Sequence, residues 1–341
     1  MLLYLQYMNI AIFDLKPWEK HLFKVALSKH KLTFFSEAIQ DVNLKKLAKI
    51  DCVTAFITSK IDKKIMAAFP ALKVIATRST GFDHIDVEEA KARGIKVLNV
   101  PSYGENTVAE HAFALILTLS RNIHEAYLRT RKHNFTIEGL KGFDLHGKTM
   151  GVVGAGKIGS HVIRIARGFG MEVLAYDPYP NELMAETLDF EYVSLKNLLK
   201  RSDVISLHVP LIPATKHLIS RKNIGHVKKG ALFINTARGG LVETAALIKG
   251  LSSGRLRGVG IDVLEEEALL IEEKHMLRRG GKNERELKAI VRDHALLKMD
   301  NVVYTPHIAF YSQEAVQRIT ETTIDNIVAF AKGSPINECK I

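Results

Sequence analysis

The sequence predicts an α/β protein of two parallel-sheet domains. Three observations carry this. Short apolar runs alternate with helical stretches, the alternation is interrupted once and then resumes, and 341 residues exceed the usual ~100–150 of one domain. Strands separated by helices need parallel crossovers, so each sheet is covered on both faces and its strands read as near-continuous apolar runs. A composition of 47% hydrophobic and 25% charged residues is ordinary for a globular protein. It excludes disorder, collagen-like repeats and a disulfide mini-scaffold.

In chain order, the segment MLLYLQYM carries no basic n-region and no small-residue cleavage site, so it reads as an extension of the strand NIAIFDL, with Met8 as an alternative start. LTFF, VTAFIT, LKVIATR and IKVLNV follow as buried strands, separated by turns or helical patterns. TVAEHAFALILTLSRNIHEAYLRTR then keeps an apolar stripe with no Gly or Pro, and reads as one long helix suited to packing or to a dimer contact. FDLHGKT is a turn. The second series comprises TMGVVGAG, MEVLAYD, DVISLHVP, ALFINTA, RGVGIDVL and NVVYTPHI, and the helix SQEAVQRITETTIDNIVAFAKG ends at Gly333.

Charge and cysteine content narrow the class further. The formal net charge of +11 raises the question of nucleic acid, but the basic residues are dispersed. The one dense segment, Lys274 to Arg292, interleaves both signs and reads as a solvated helical face, so the charge is better suited to small anions. Cys52 and Cys339 form no CxxC pair, which fits a reducing, cytoplasmic setting. The longest strongly apolar stretch, Ala112 to Leu119, is far short of the ~20 residues of a membrane helix. No residue cluster points to a metal.

The strongest motif is GAGKIG, which follows an apolar run directly and opens a helix pattern. Gly154 permits a tight turn, Gly156 lets the backbone approach a pyrophosphate, and Gly159 lets helix and sheet pack closely. The helix N-terminus supplies oriented N–H donors for phosphate. Asp177 closes the next strand, where a carboxylate accepts hydrogen bonds from ribose hydroxyls and repels a 2′-phosphate, pointing to NAD over NADP. Just upstream, Gly142 to Thr149 also satisfies GxxxxGK[ST]. A phosphate loop must leave a strand and open a helix, whereas Thr149 opens a strand, so this match reads as a turn.

Three further segments place a polar group at the carboxyl end of a strand, where open α/β sheets bind ligands. FINTARGGLV presents Arg238, GIDVLEEEALL presents Asp262 and a glutamate cluster, and VVYTPHIAFY presents His307. Arginine holds a carboxylate in a bidentate fork. Histidine exchanges protons near neutral pH, and a carboxylate beside it favours the imidazolium. Together these residue types suit reduction of a 2-keto acid. Singly, an Arg or Glu is more often a surface ion-pair partner and a His a satisfied core residue.

With GAGKIG and HVP at their spacings, TARGG, GIDVLEEE and TPHIAFY resemble the D-isomer-specific 2-hydroxyacid dehydrogenase family. TRSTGFDHID, VPSYGENTVAEH and DVISLHVPLIPAT extend the resemblance over nearly the whole chain. The insertion after Glu267 and the ending TPHIAFY are most similar to its D-lactate dehydrogenase branch. The resemblance implies a flavodoxin-like substrate domain of residues 1–103 and 309–341, a Rossmann NAD-binding domain of residues 104–308, and a cleft between them. It implies that Arg238 binds the substrate carboxylate and polarises the carbonyl, that His307 is the acid–base, and that Glu267, five positions beyond Asp262, is the catalytic glutamate. Ser79, Thr80 and Gly81 match the loop offering backbone N–H groups to the carboxylate, and Tyr103 a tyrosine near the substrate. Lys157 and Ile158 would meet the pyrophosphate, and His208, Val209, Pro210 and Thr215 the adenosine and ribose. Thr236, Ala237 and Asp262 would lie on the nicotinamide side. Thr80 departs from the aliphatic residue common in the lactate branch.

The expected reaction is hydride transfer from NADH to a small 2-keto acid, most simply pyruvate to D-lactate, by a cytoplasmic homodimer. Glyoxylate, hydroxypyruvate or a longer apolar acid are the alternative substrates, and an NAD-sensing interaction protein is the alternative from another class.

Overall fold

A computed structural model of the protein describes residues 6–267 and 284–339. The expected strand extension over residues 1–5 and the mixed-charge run from 274 to 283 lie outside the described residues. The chain divides into two compact units, Met1–Gly104 with Ser312–Ile341, and Glu105–Tyr311.

The first unit holds a parallel sheet of β1 (Asn9–Ile12), β2 (Lys31–Phe34), β3 (Cys52–Ala55), β4 (Val74–Thr77) and β5 (Lys96–Leu98), in the order β2-β1-β3-β4-β5. That is the flavodoxin-like doubly wound order. Successive strand residues go to opposite faces, which accounts for the unbroken apolar runs. Ile10, Ile12, Cys52, Val74 and Ala76 pack with Phe23 of α1 (Glu19–Ala26) and with Ile324, Ile327 and Ala331 of the C-terminal helix, Gln313–Ala331. Ala11, Val53, Ala55, Ile75 and Val97 face the other way, toward Met66 of α2 (Lys63–Ala67) and Ala90 of α3 (Val87–Ala92). β1 begins at Asn9; Met8 before it is buried but outside the strand.

The second unit opens with α4 (Glu105–Ser120) and α5 (Ile123–Arg131). Its parallel sheet comprises β6 (Thr149–Val153), β7 (Glu172–Tyr176), β8 (Glu191–Tyr192), β9 (Val204–Leu207), β10 (Ala231–Asn235), β11 (Leu256–Ile261) and β12 (Val302–Tyr304). The order β12-β11-β10-β9-β6-β7-β8 is that of a Rossmann sheet with one strand added at the far edge. The strand order reverses between β6 and β9, so the crevice at their carboxyl ends is the topological switch point. α4, α6 (Lys157–Gly168) and α7 (Glu182–Leu188) cover one face. α8 (Leu195–Arg201), α9 (Thr244–Ser252) and α10 (Glu284–Leu297) cover the other.

One expectation is corrected. The single long helix is broken: Asn122 lies in the left-handed region at φ 50°, so α4 and α5 are separate helices. Asparagine tolerates that conformation better than most residues, and an apolar stripe says nothing about φ. α4 buries nine residues and α5 none. The two-residue edge strand β8 was also not foreseen, being too short and too exposed for a period-two pattern. Thr149 does open a strand, β6, which leaves the GxxxxGK[ST] match without a helix to crown.

Candidate active site

At the switch point of the second unit, GAGKIG forms the turn from β6 to α6. Gly154 has φ 95°, and a Cβ there would stand 2.7 Å from the His208 carbonyl oxygen. A Cβ on Gly159 would approach the Gly154 oxygen to 1.9 Å, so the helix can meet the strand this closely only without a side chain. Above Gly156 the space is open, with nothing within 4 Å of where its Cβ would be. Gly156 is the N-cap of α6, Lys157 and Ile158 form its first turn, and the Lys157 ammonium lies 3.8 Å from Glu105.

Asp177 follows β7. Its carboxylate accepts from the Ala155 N–H at 2.9 Å and from the Tyr179 N–H at 2.9 Å, one on each oxygen. Each oxygen keeps acceptor capacity. Ala155, Gly156, Lys157, Asp177, Tyr179 and Tyr192 are among the walls of a cavity of about 480 Å³. On the other side of the crevice, burial pushes the His208 imidazole down to about 3, so it is neutral; its Nε2 pairs with the Ser206 hydroxyl at 2.8 Å. The buried His208 Nδ1 and the buried Thr236 hydroxyl have no partner among the described residues. A glycine cradle, a helix N-terminus, a carboxylate with spare acceptors and two orphaned polar atoms fit the phosphate, ribose and amide groups of a dinucleotide. Val209 is buried and Pro210 exposed. The Thr215 hydroxyl closes its own turn instead, donating to Pro210 O at 2.6 Å and accepting from Ile212 N at 2.9 Å.

Glu267 and His307 follow β11 and β12. His307 Nδ1 is 3.2 Å from Glu267 Oε1. Glu265 points elsewhere: it accepts from His217 Nε2 at 2.7 Å and from the Thr244 N–H at the start of α9. Those hydrogen bonds, with Arg292 and His217 nearby, outweigh burial and hold its carboxyl below the usual range. Within the glutamate cluster, then, geometry brings Glu267 to the histidine and gives Glu265 to the scaffold. His307 has φ 55°, a left-handed conformation that costs a non-glycine residue about 1–3 kcal/mol and must be held by its surroundings.

Asp262 does much of that holding. Its carboxylate is fully buried and accepts from Ile308 N at 2.9 Å, from Ala309 N at 2.8 Å and from the Thr305 hydroxyl, while its own carbonyl takes the His307 N–H at 2.9 Å. The resemblance directs Asp262 toward the nicotinamide; in the structure its oxygens are engaged within the protein, on the loop that carries His307. Phe310 stands edge-on to the His307 ring, with centroids 6.5 Å apart. Arg238, after β10, donates to Ala237 O, and Asn235 braces the turn by donating to Arg238 O and accepting from Ala237 N. Sequence reading missed Asn235, Thr305 and His111, because each is recognised only by what it touches.

In the first unit, the loop after β4 carries Ser79, Thr80 and Gly81. Both hydroxyls are engaged internally, Ser79 to Gly81 O and Thr80 to Val100 O, each at 2.6 Å. No acceptor among the described residues takes the Thr80 or Gly81 N–H. Asn99 donates to Thr80 O at 2.8 Å, and Asn326 of the C-terminal helix holds Asn99 in turn. Tyr103 lies at the end of this unit's first segment, its carbonyl receiving the Arg318 Nε.

Residues 113–309 match the model of the D-isomer specific 2-hydroxyacid dehydrogenase NAD binding domain. The chain is 36% identical over 334 residues to D-lactate dehydrogenase of Escherichia coli, covering 96% of this chain and 98% of that one. It is 39% identical over 299 residues to glyoxylate reductase of Thermococcus litoralis, covering 86% and 84%. The crystal structure of D-lactate dehydrogenase from Aquifex aeolicus complexed with NAD and lactic acid superposes with a TM-score of 0.85 at 37% identity, covering 96% of each chain. No described helix is long and apolar enough to cross a membrane. With its motifs, its two parallel sheets and its relatives in agreement, the chain belongs to the D-isomer specific 2-hydroxyacid dehydrogenase family, the NAD-dependent oxidoreductases of 2-hydroxy acids.

Proposed function

We propose that this dehydrogenase reduces pyruvate to D-lactate, with His307 as the acid–base residue. The observation that carries the reading is the His307–Glu267 pair, 3.2 Å apart, on a loop held by a buried aspartate. Because Nδ1 faces Glu267, Nε2 is the nitrogen left for substrate. NADH, when bound, supplies the hydride that reaches the carbonyl carbon. His307 donates its Nε2 proton to the carbonyl oxygen, a general-acid step typically worth ~10²–10⁴-fold. Arg238 holds the substrate carboxylate in a bidentate fork and polarises the carbonyl. In the first unit, the N–H groups of Thr80 and Gly81 are the donors offered to a substrate carboxylate.

A small apolar substrate tail is supported by Phe310, which stands beside His307. The 39% identity to a glyoxylate reductase favours glyoxylate as the second candidate. NADH oxidation across a panel of 2-keto acids decides between them: pyruvate is expected to have the highest kcat/KM, and a preference for glyoxylate or a longer acid overturns the substrate assignment alone. H307N is expected to lose at least 10²-fold in kcat. E267Q changes the pH–rate profile of reduction, and an unchanged profile overturns the role of Glu267.

We further propose a cytoplasmic homodimer; its two free, buried cysteines support a reducing setting. The helical run from Thr107 to Arg131 is the expected dimer contact, and of its two helices α4 packs its apolar side chains into the core. The exposed apolar side chains of Ile123, Tyr127 and Leu128 on α5, with Phe135 and Ile137 after it, are the surface that supports dimerisation. Gel filtration at monomer size across concentrations overturns it.

A further inference from the structure

We propose that His111, on α4, is a positioning residue for the His307 loop, acting as a neutral hydrogen-bond donor to Thr305. The inference rests on the reading of His307 as the acid–base residue.

His307 sits in a left-handed conformation, so the residues on either side of it must be fixed. Ile308 and Ala309 are fixed by the Asp262 carboxylate. On the other side the fixing residue is Thr305, which accepts the second hydrogen bond of the His307 N–H and packs its hydroxyl against the same carboxylate. A hydroxyl has one hydrogen. Asp262 is an acceptor only, so Thr305 donates to it and can only accept from its other neighbour, His111 Nε2, at 2.9 Å.

The direction of the chain is thereby determined: His111 Nε2–H to Thr305 Oγ1–H to Asp262 Oδ1. The donor nitrogen is also 3.6 Å from Asp262 Oδ1. Burial lowers the proton affinity of His111, overcoming the opposing attraction of Asp262. Two histidines therefore meet two carboxylates in one unit with opposite duties. His307 beside Glu267 exchanges a proton, whereas His111 beside Asp262 keeps one fixed Nε2–H and fastens α4 to the loop. Without that donor Thr305 keeps its bond to Asp262 but loses the one that ties it to α4.

The test compares H111F, which removes the donor, with H111Q, which keeps an N–H at similar reach. H307N serves as the reference. Loss of one hydrogen bond predicts a kcat about tenfold lower in H111F, with H111Q within about twofold of the parent. The Kd for NADH, read by fluorescence titration, stays unchanged in both. Independently of any variant, ¹⁵N–¹H correlation spectra of the parent protein at pH 7 show His111 as the neutral Nε2–H tautomer. The proposal is overturned by parental kcat in H111F, by an equal loss in H111Q, by a Kd for NADH that weakens in step with kcat, or by an Nδ1–H or doubly protonated His111. Should H111F fail to fold, the tautomer decides. Parental turnover in H307N instead overturns the acid–base assignment on which the proposal rests.

Discussion

Asp293 on α10 makes a sharp stability prediction. It is fully buried, and neither carboxylate oxygen has a hydrogen-bond partner among the described residues. Burial raises its pKa to about 6; nearby Glu265 and Glu266 push the same way, and Thr244 and Arg292 oppose them. In the unfolded chain the ordinary value is 3.8. Between these values the folded state binds more protons than the unfolded one, so stability falls as pH rises from about 4 to about 6. The difference of about two units, at 1.36 kcal/mol per unit, bounds the destabilisation at about 3 kcal/mol above pH 7. D293N keeps the shape and removes the charge. It is expected to be more stable than the parent by up to about 3 kcal/mol at pH 7.5, and by only about 1 kcal/mol at pH 4.5, where the parent's folded-state carboxyl is largely protonated. Urea unfolding at both pH values, followed by circular dichroism, measures the two gaps. A gap of the same size at both, or a variant less stable at pH 7.5, refutes the reasoning.

Two further outcomes follow from the site. D177S removes a carboxylate that would repel a 2′-phosphate, so kcat/KM with NADPH is expected to rise at least tenfold relative to NADH; an unchanged ratio counts against Asp177 as the ribose contact. G159A places a methyl where the Gly154 oxygen stands, so the β6–α6 turn must open. It is expected to cost about 1–3 kcal/mol in stability and to weaken NADH binding, read by thermal denaturation and fluorescence titration.

The apolar runs and GAGKIG made both sheets and the glycine turn from β6 to α6 legible in the sequence. Strand period, glycine spacing and helix onset are local properties, and each survives folding unchanged. TARGG, GIDVLEEE and TPHIAFY likewise named residues that the structure brings to the carboxyl ends of β10, β11 and β12. Separating Glu267 from Glu265 took family resemblance in the sequence and hydrogen bonds in the structure, since three adjacent glutamates are chemically alike until their partners are known.

Tertiary structure alone decided the rest. The break at Asn122 is a choice of φ that the apolar stripe does not encode. The duty of Asp262 depends on Ile308, Ala309 and Thr305, more than forty residues away in sequence. The protonation of His111, His208 and Asp293 depends on how deeply each is buried and what stands beside it. Sequence by itself determined the fold class, the glycine turn that opens α6 and the residue types available for chemistry, because these follow from local geometry. Which oxygen meets which hydrogen, and which histidine keeps its proton, was settled by long-range contacts and desolvation, which come into being only when the chain is folded.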